Sequence, residues 1–254
     1  IFLAVFTISI YGQNHKNAAD YRTDAINGNA IAQFYLGQSY FRGWGIKPDT
    51  IQAVYWWRKS AEQGNPAAQN NMGAAYSNGW GNLTQNKETA IYWYKKAAES
   101  GVADACEALA NCYDDGYGVK QDYQKSIEWR QKGAELGNKL SIANLGWHYR
   151  TGKGVDQDYQ TAFEWYKKAS ELGNAYAQKN LADLYYNGYG VDVDYHEAAK
   201  WYLKAAEGGN MDAQESIAKC YVSGKGVEQN YQKAIEWRRK GADNGNNTCI
   251  SNLG

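Results

Sequence analysis

Glycine recurs along this chain at a nearly fixed interval, and that period limits the fold more than any other feature. Gly28, Gly64, Gly101, Gly137, Gly173, Gly209 and Gly245 stand 36, 37, 36, 36, 36 and 36 residues apart. Self-similarity at such a period marks stacked supersecondary units rather than one closed domain. The single longer interval carries its extra residue near Asn82 to Asn86. That stretch reads as a loop, where insertions cost little.

Each unit reads as two helices. After Gly173-Asn174, the residues Ala177, Leu181 and Tyr185 fall four apart and share one helical face. Asn187-Gly188-Tyr189-Gly190 ends that helix, because glycine adopts the left-handed conformation that closes a helix C-terminus. A second helix is predicted from about Asp194 to Glu207, with Ala198, Trp201, Tyr202 and Ala206 as packing positions. The other units repeat the design. A large residue stands beside a small one at Leu36-Gly37, Met72-Gly73, Leu109-Ala110, Leu145-Gly146, Leu181-Ala182 and Ile217-Ala218. Trp56, Trp93, Trp129, Trp165, Trp201 and Trp237 recur on the second helices and are expected to pack between units. One hairpin cannot bury both of its apolar faces, so the units must stack, and the expected fold class is all-α: a solenoid of tandem helix-turn-helix repeats of about 36 residues.

The expected organisation is six repeats at 28–63, 64–100, 101–136, 137–172, 173–208 and 209–244. Residues 14–27 read as a degenerate N-terminal cap repeat, in which Tyr21 and Ala25 match Tyr202 and Ala206 and Asp20 replaces the tryptophan. Residues 245–254 read as the start of a truncated seventh repeat. Residues 1–13 open with the uncharged, mostly apolar run Ile1 to Ile10, and are expected to be the remnant of a signal-peptide h-region. That reading places the chain in a secreted or periplasmic location, with the cytoplasm as the alternative; the run is too short for an integral membrane span.

The pattern A-Q-x-x-L-G-x-x-Y-x-x-G-x-G-V followed by A-x-x-W-Y-x-K-A-A-E-x-G-N resembles the Sel-one-like repeat family, a tetratricopeptide-like group. It is read here as Ala177-Gln178, Leu181-Ala182, Tyr185, Gly188, Gly190-Val191, Ala198, Trp201-Tyr202, Lys204-Ala205-Ala206-Glu207 and Gly209-Asn210. The resemblance covers about residues 18–254. It implies a right-handed α/α superhelix whose first helices line a concave face, and adaptor roles in assembling protein complexes. A cysteine-rich branch of the family has been linked to penicillin binding. In that branch each unit pairs two cysteines eight residues apart. Here Cys106 would need a partner at Ala98, and Cys249 is out of register with Ala242, so the pairing pattern is absent. Cys106, Cys112, Cys220 and Cys249 are therefore expected to be free, buried thiols.

Charge and motif exclude several chemistries. Lys plus Arg and Asp plus Glu are both 27, and no long run of like charge occurs, which speaks against nucleic acid as partner. None of the Gly-x-Gly turns follows a strand or extends to a phosphate-binding motif, so no nucleotide cofactor is expected. The three histidines are His15, His148 and His196; His196-Glu197 lacks the second histidine of HExxH, and no CxxC exists, so no metal site is expected. Ser216-Ile-Ala-Lys219 matches the S-x-x-K element of penicillin-interacting serine enzymes but has no companion motif. Asn82-Leu-Thr84 and Asn246-Asn-Thr248 fit the N-glycosylation pattern.

What remains is a non-catalytic scaffold that binds a protein or peptide. In a solenoid the framework recurs and the exposed positions between are free to differ. On the first helices those positions yield Phe34, Tyr35, Gln38, Phe41, Arg42, Asn111, Trp147, Arg150, Asp183 and Tyr186 as the expected protein-binding residues. Aromatic and arginine anchors carry much of the energy of protein interfaces. Trp44, Trp80, Tyr117 and Tyr189, between the loop glycines, form a second candidate edge. The protein is expected to be monomeric. Two alternatives stand beside this reading: a β-lactam-binding protein or a β-lactam or cell-wall hydrolase, and the targeting array of a larger enzyme.

Overall fold

A glycine followed by asparagine does two jobs at six of the seven repeat boundaries. Gly173 has φ +77, a left-handed conformation that lets one helix stop, and the side chain of Asn174 accepts from the backbone N–H of Ala177 to start the next. The computed structural model describes residues 17–252, and among them the chain is helical throughout. The expected signal-peptide remnant at 1–13 and the first residues of the cap lie outside the described residues.

The chain divides into two compact units between Gly101 and Val102. The first contains α1 (Ala18–Ile26), α2 (Ala30–Arg42), α3 (Thr50–Glu62), α4 (Pro66–Asn78) and α5 (Lys87–Glu99). The second contains α6 (Ala103–Asp115), α7 (Tyr123–Glu135), α8 (Lys139–Thr151), α9 (Tyr159–Glu171), α10 (Ala175–Asn187), α11 (Tyr195–Glu207), α12 (Met211–Ser223), α13 (Tyr231–Asp243) and α14 (Asn247–Ser251). Within each unit every helix packs on its neighbours in sequence, which is the stacked-hairpin α/α solenoid the periodicity requires.

The large members of the mid-helix pairs are the knobs. Leu36 and Met72 in the first unit, and Leu109, Leu145, Leu181 and Ile217 in the second, are all 0–1% exposed. The small members give room for a ring. A Cβ added at Gly146 would sit 2.8 Å from Cδ1 of Tyr166, and one at Gly37 would sit 2.5 Å from Cδ1 of Trp57. The buried ring is thus the residue after the expected tryptophan. Trp57, Tyr94, Tyr166 and Tyr202 are buried, whereas Trp56, Trp93, Trp129, Trp165, Trp201 and Trp237 are half-buried. Each half-buried indole is covered by the lysine three residues on: Lys59, Lys96, Lys132, Lys168, Lys204 and Lys240 stand 4.2–5.8 Å from the ring centroids. The rings seal the hairpin edge while the ammonium groups keep their water.

A buried glutamine stitches successive hairpins. The side-chain amide of Gln33 donates to the Ala25 carbonyl (3.0 Å), and Gln178 and Gln214 do the same to Ser170 (3.2 Å) and Ala206 (3.3 Å). Each of these carbonyls also accepts from the backbone N–H of the boundary glycine, so the glutamine adds a second donor at the end of the helix. Cys106 and Ile142 occupy the equivalent sites in the third and fourth repeats, so those repeats lack the stitch. Asp20, at the tryptophan position of α1, accepts from the Asn17 backbone (2.7 Å) and completes a capping box.

The third repeat opens on Val102 where five others have a side-chain cap, and α6 has no side-chain cap bond. Val102 already has the extended backbone of a cap residue, with φ −80 and ψ 106. Val102→Asn should therefore stabilise the protein by about 0.5–1 kcal/mol, read as a rise in the urea midpoint at unchanged slope. Gly146→Ala should cost about 1–3 kcal/mol in the same assay, because Tyr166 must leave its place.

Candidate functional site

The first helices set out side chains in rows, since equivalent positions recur every repeat. In the second unit, one row turns outward and holds Asn111, Trp147, Asp183 and Lys219, one residue from each of α6, α8, α10 and α12. Asn111 and Lys219 are exposed, and Trp147 and Asp183 are half-buried. Four chemically different groups stand in this row. The knob row two positions earlier holds only leucine and isoleucine: Leu109, Leu145, Leu181 and Ile217. The outward row varies from repeat to repeat where the knob row does not.

Most of these side chains also have intramolecular company. Trp147 meets His148 edge-on at 4.9 Å, and Lys153 stands 4.9 Å from its ring centroid. Asp183 accepts from Tyr202 Oη and from Lys179 Nζ, both at 2.7 Å. Tyr186 packs edge-on against Tyr195 at 5.0 Å and accepts from Lys225 Nζ at 3.3 Å. Asn111 Oδ1 accepts from Arg130 at 2.7 Å. Arg150 is half-buried, with its Nε buried and unpartnered.

The first unit sorts its predicted residues into two layers. Tyr35 stacks on Tyr21 of α1, with centroids 5.0 Å apart. Phe34 packs edge-on against Tyr35 and lies against the core cluster around Trp57. Phe41 is wedged between Trp57 (5.1 Å) and Trp80 (4.8 Å) and serves that core. Arg42 is exposed, 5.8 Å above Trp44, and Gln38 is half-buried. The loop edge is similarly engaged: Tyr189 stacks on Tyr159 at 4.9 Å.

Beneath the outward row of the second unit lies a charged network that the sequence reading did not single out. The Arg130 side chain is only 3% exposed. Its Nη1 donates to Asp114 Oδ2 at 2.5 Å and its Nη2 to Glu107 Oε1 at 3.3 Å. Ser141 and Asn144 donate to the two oxygens of Glu107, each at 2.8 Å. His148 closes the network from α8. Its Nδ1 stands 2.8 Å from the Lys153 carbonyl, and its Nε2 stands 2.6 Å from Arg130 Nη1. A carbonyl only accepts and a guanidinium only donates, so His148 is the neutral tautomer with its proton on Nδ1. A signal was available: Glu107 and Arg130 recur as Glu215 and Arg238, each 108 residues on.

The thiols take no part in chemistry here. All four cysteines are free and buried. Burial pushes Cys112 up to about 12 and Cys220 up to about 11, far from the range where a thiolate forms. The Ser216 hydroxyl donates to the Asp212 carbonyl at 3.0 Å, and Lys219 pairs with Glu215 at 3.9 Å. Neither is arranged as a nucleophile with its base.

Burial depresses the His148 pKa, and Arg130 adds to that. The Lys153 carbonyl, Asp114 and Glu107 pull the other way without reversing it. A depressed folded value means that the unfolded chain binds the proton first. Stability from the neutral ring is therefore full above the unfolded pKa of about 6.5 and is lost as pH falls below it. Urea midpoints should drop between pH 7.5 and pH 5.5, and the drop should shrink in His148→Gln.

The model of the Sel1 repeat family matches residues 30–65, 66–102, 103–138, 140–174, 175–210 and 212–246. A search of curated proteins gives no match. Among solved structures, a protective antigen present in uropathogenic Escherichia coli strains, displaying an SLR fold, is 36% identical, with a TM-score of 0.83. The match covers 92% of this chain, which spans 50% of that protein. A Sel1 repeat protein from Oxalobacter formigenes is 30% identical over 90% of this chain and 97% of its own, with a TM-score of 0.78. An immunity protein from Pseudomonas aeruginosa, 19% identical with a TM-score of 0.52 over 96% of this chain and 85% of its own, shares the fold alone.

Proposed function

The chain belongs to the Sel1 repeat family, whose members generally serve as protein-interaction scaffolds, and from that premise we propose that it is a non-catalytic adaptor holding a protein or peptide on the first-helix face of its second unit. The observation that carries this reading is the outward row of Asn111, Trp147, Asp183 and Lys219. Four stacked helices present four different groups at one position over a near-constant row of knobs, which is how a rigid frame displays a specific surface. Trp147 is the anchor, since a half-buried indole offers a large apolar area without having to be ordered on binding. Asn111, Asp183 and Lys219 surround it with polar groups. Tyr186 and Arg150 extend the face, while in the first unit Tyr35, Gln38 and Arg42 form a smaller surface of the same kind. Within the same proposal the protein works as a secreted or periplasmic monomer, supported by the apolar run Ile1 to Ile10.

The test is affinity capture with the whole chain as bait beside two variants, each checked by circular dichroism. Trp147→Ala should weaken capture of the partner by about tenfold or more. Tyr231→Ala, on the exposed start of α13, should leave it unchanged. Equal capture by wild type and Trp147→Ala would move the binding surface elsewhere.

A further inference from the structure

Arg150 stands in the row that holds Asp114 one repeat earlier (114 + 36 = 150), and the residues they face are equivalent too, Arg130 and Tyr166 (130 + 36 = 166). The two sites differ in charge balance. Asp114 and Arg130 form an ion pair at 2.5 Å, and Arg238 in the sixth repeat pairs with Glu215 at 3.2 Å. Arg150 faces the Tyr166 hydroxyl, which burial keeps protonated, and has no bonded carboxylate. None of the ion pairs among the described residues includes Arg150.

The acidic group whose charge Arg150 feels is Asp183. Both oxygens of Asp183 are already engaged, one by Lys179 and the other by Tyr202, each at 2.7 Å. Arg150 is nonetheless half-buried, and its Nε is cut off from water with no acceptor. Tyr166 and the charge of Asp183 favour the guanidinium in this place, yet no carboxylate is bonded to it, and a guanidinium held partly out of water still gains from one. Its planar fork suits two carboxylate oxygens at once. Trp147 lies one helical turn back on α8, and Lys153 stands 4.9 Å from that ring, adding a second cation beside the same wall.

We propose that α8 carries a carboxylate-binding subsite, centred on Arg150 and walled by Trp147, which takes an acidic side chain of the bound peptide. The inference rests on the scaffold reading above and adds the chemistry of the partner. It makes the second unit selective for acidic segments, with Lys153 favouring their approach.

The experiment is selection of a displayed library of short random peptides on the whole chain, in wild type, Arg150→Gln, Arg150→Glu and Trp147→Ala. Wild type should enrich Asp and Glu at least about threefold over the unselected library. Arg150→Gln should lose that bias, and Arg150→Glu should turn it toward Lys and Arg. Thermal unfolding checks that each variant is folded, and Arg150→Gln decides the matter if the charge reversal is not. An acidic bias that persists in Arg150→Gln would overturn the subsite, as would enrichment by wild type without any bias. If unbiased peptides are still lost in Trp147→Ala, the scaffold reading survives and the subsite alone fails. No enrichment in wild type would remove both.

Discussion

A helix of thirteen residues is barely long enough to hold itself together in water, and almost every helix here is that length. Its stability has to come from burying one face against a neighbour, and a pair of such helices has one face left over. Stacking is therefore obligatory, and the side chains that govern stacking are the ones held constant. Leu145, Leu181 and Ile217 are knobs, and the small residues beside them set how closely the second helix approaches. In the repeats that carry one, a buried glutamine then ties the hairpin to a carbonyl of the preceding one.

Within that frame the residue facing the small position is the main internal variable. Where it is Trp57, Tyr94 or Tyr166, the partner is glycine, because the ring lies flat where a Cβ would be. Where it is Arg130 or Arg238, the partner is alanine and the guanidinium reaches past it to Glu107 or Glu215. Among the rings at this position Tyr202 is the exception, since it faces Ala182. An arginine chosen there brings a buried carboxylate with it, since one ion without the other would be left uncompensated.

The solenoid was legible from the sequence because its signals repeat: the Gly-Asn pairs, the knobs and the loop glycines each occur again and again. The orientation of the Trp-Tyr pair was less so. Adjacent residues on a helix point about 100° apart, and both members are aromatic, so periodicity does not say which one turns in. The structure turns in Trp57, Tyr94, Tyr166 and Tyr202 and leaves the tryptophan before each of them under a lysine. The candidate site was partly legible. Trp147 and Asp183 stand on the outward row, but Phe41 is core, because its repeat has Trp57 and Trp80 beside it to pack against. The Arg130 network was not legible because its members come from three helices, and nothing local in the sequence joins Glu107 to His148.

The same network occurs twice in the second unit, which separates what is structural in it from what is particular. Glu215 and Arg238 repeat Glu107 and Arg130, and Asn252 donates to Glu215 at 2.8 Å as Asn144 donates to Glu107. Cys249 stands where Ser141 stands, each over a glycine on the second helix that leaves room for it. A glutamate shared between an arginine of its own repeat and an asparagine of the next is therefore a device for joining hairpins. Asp114 lies outside that common device, since Val222 stands in its place in the later copy. With Asp114 and His148 against it the Arg130 side chain is 3% exposed, against 18% for Arg238, and the buried imidazole lies beside Trp147. The floor beneath the proposed binding face is therefore cross-linked by an ion pair and shared hydrogen bonds, and a surface held rigid in this way costs a partner less to engage.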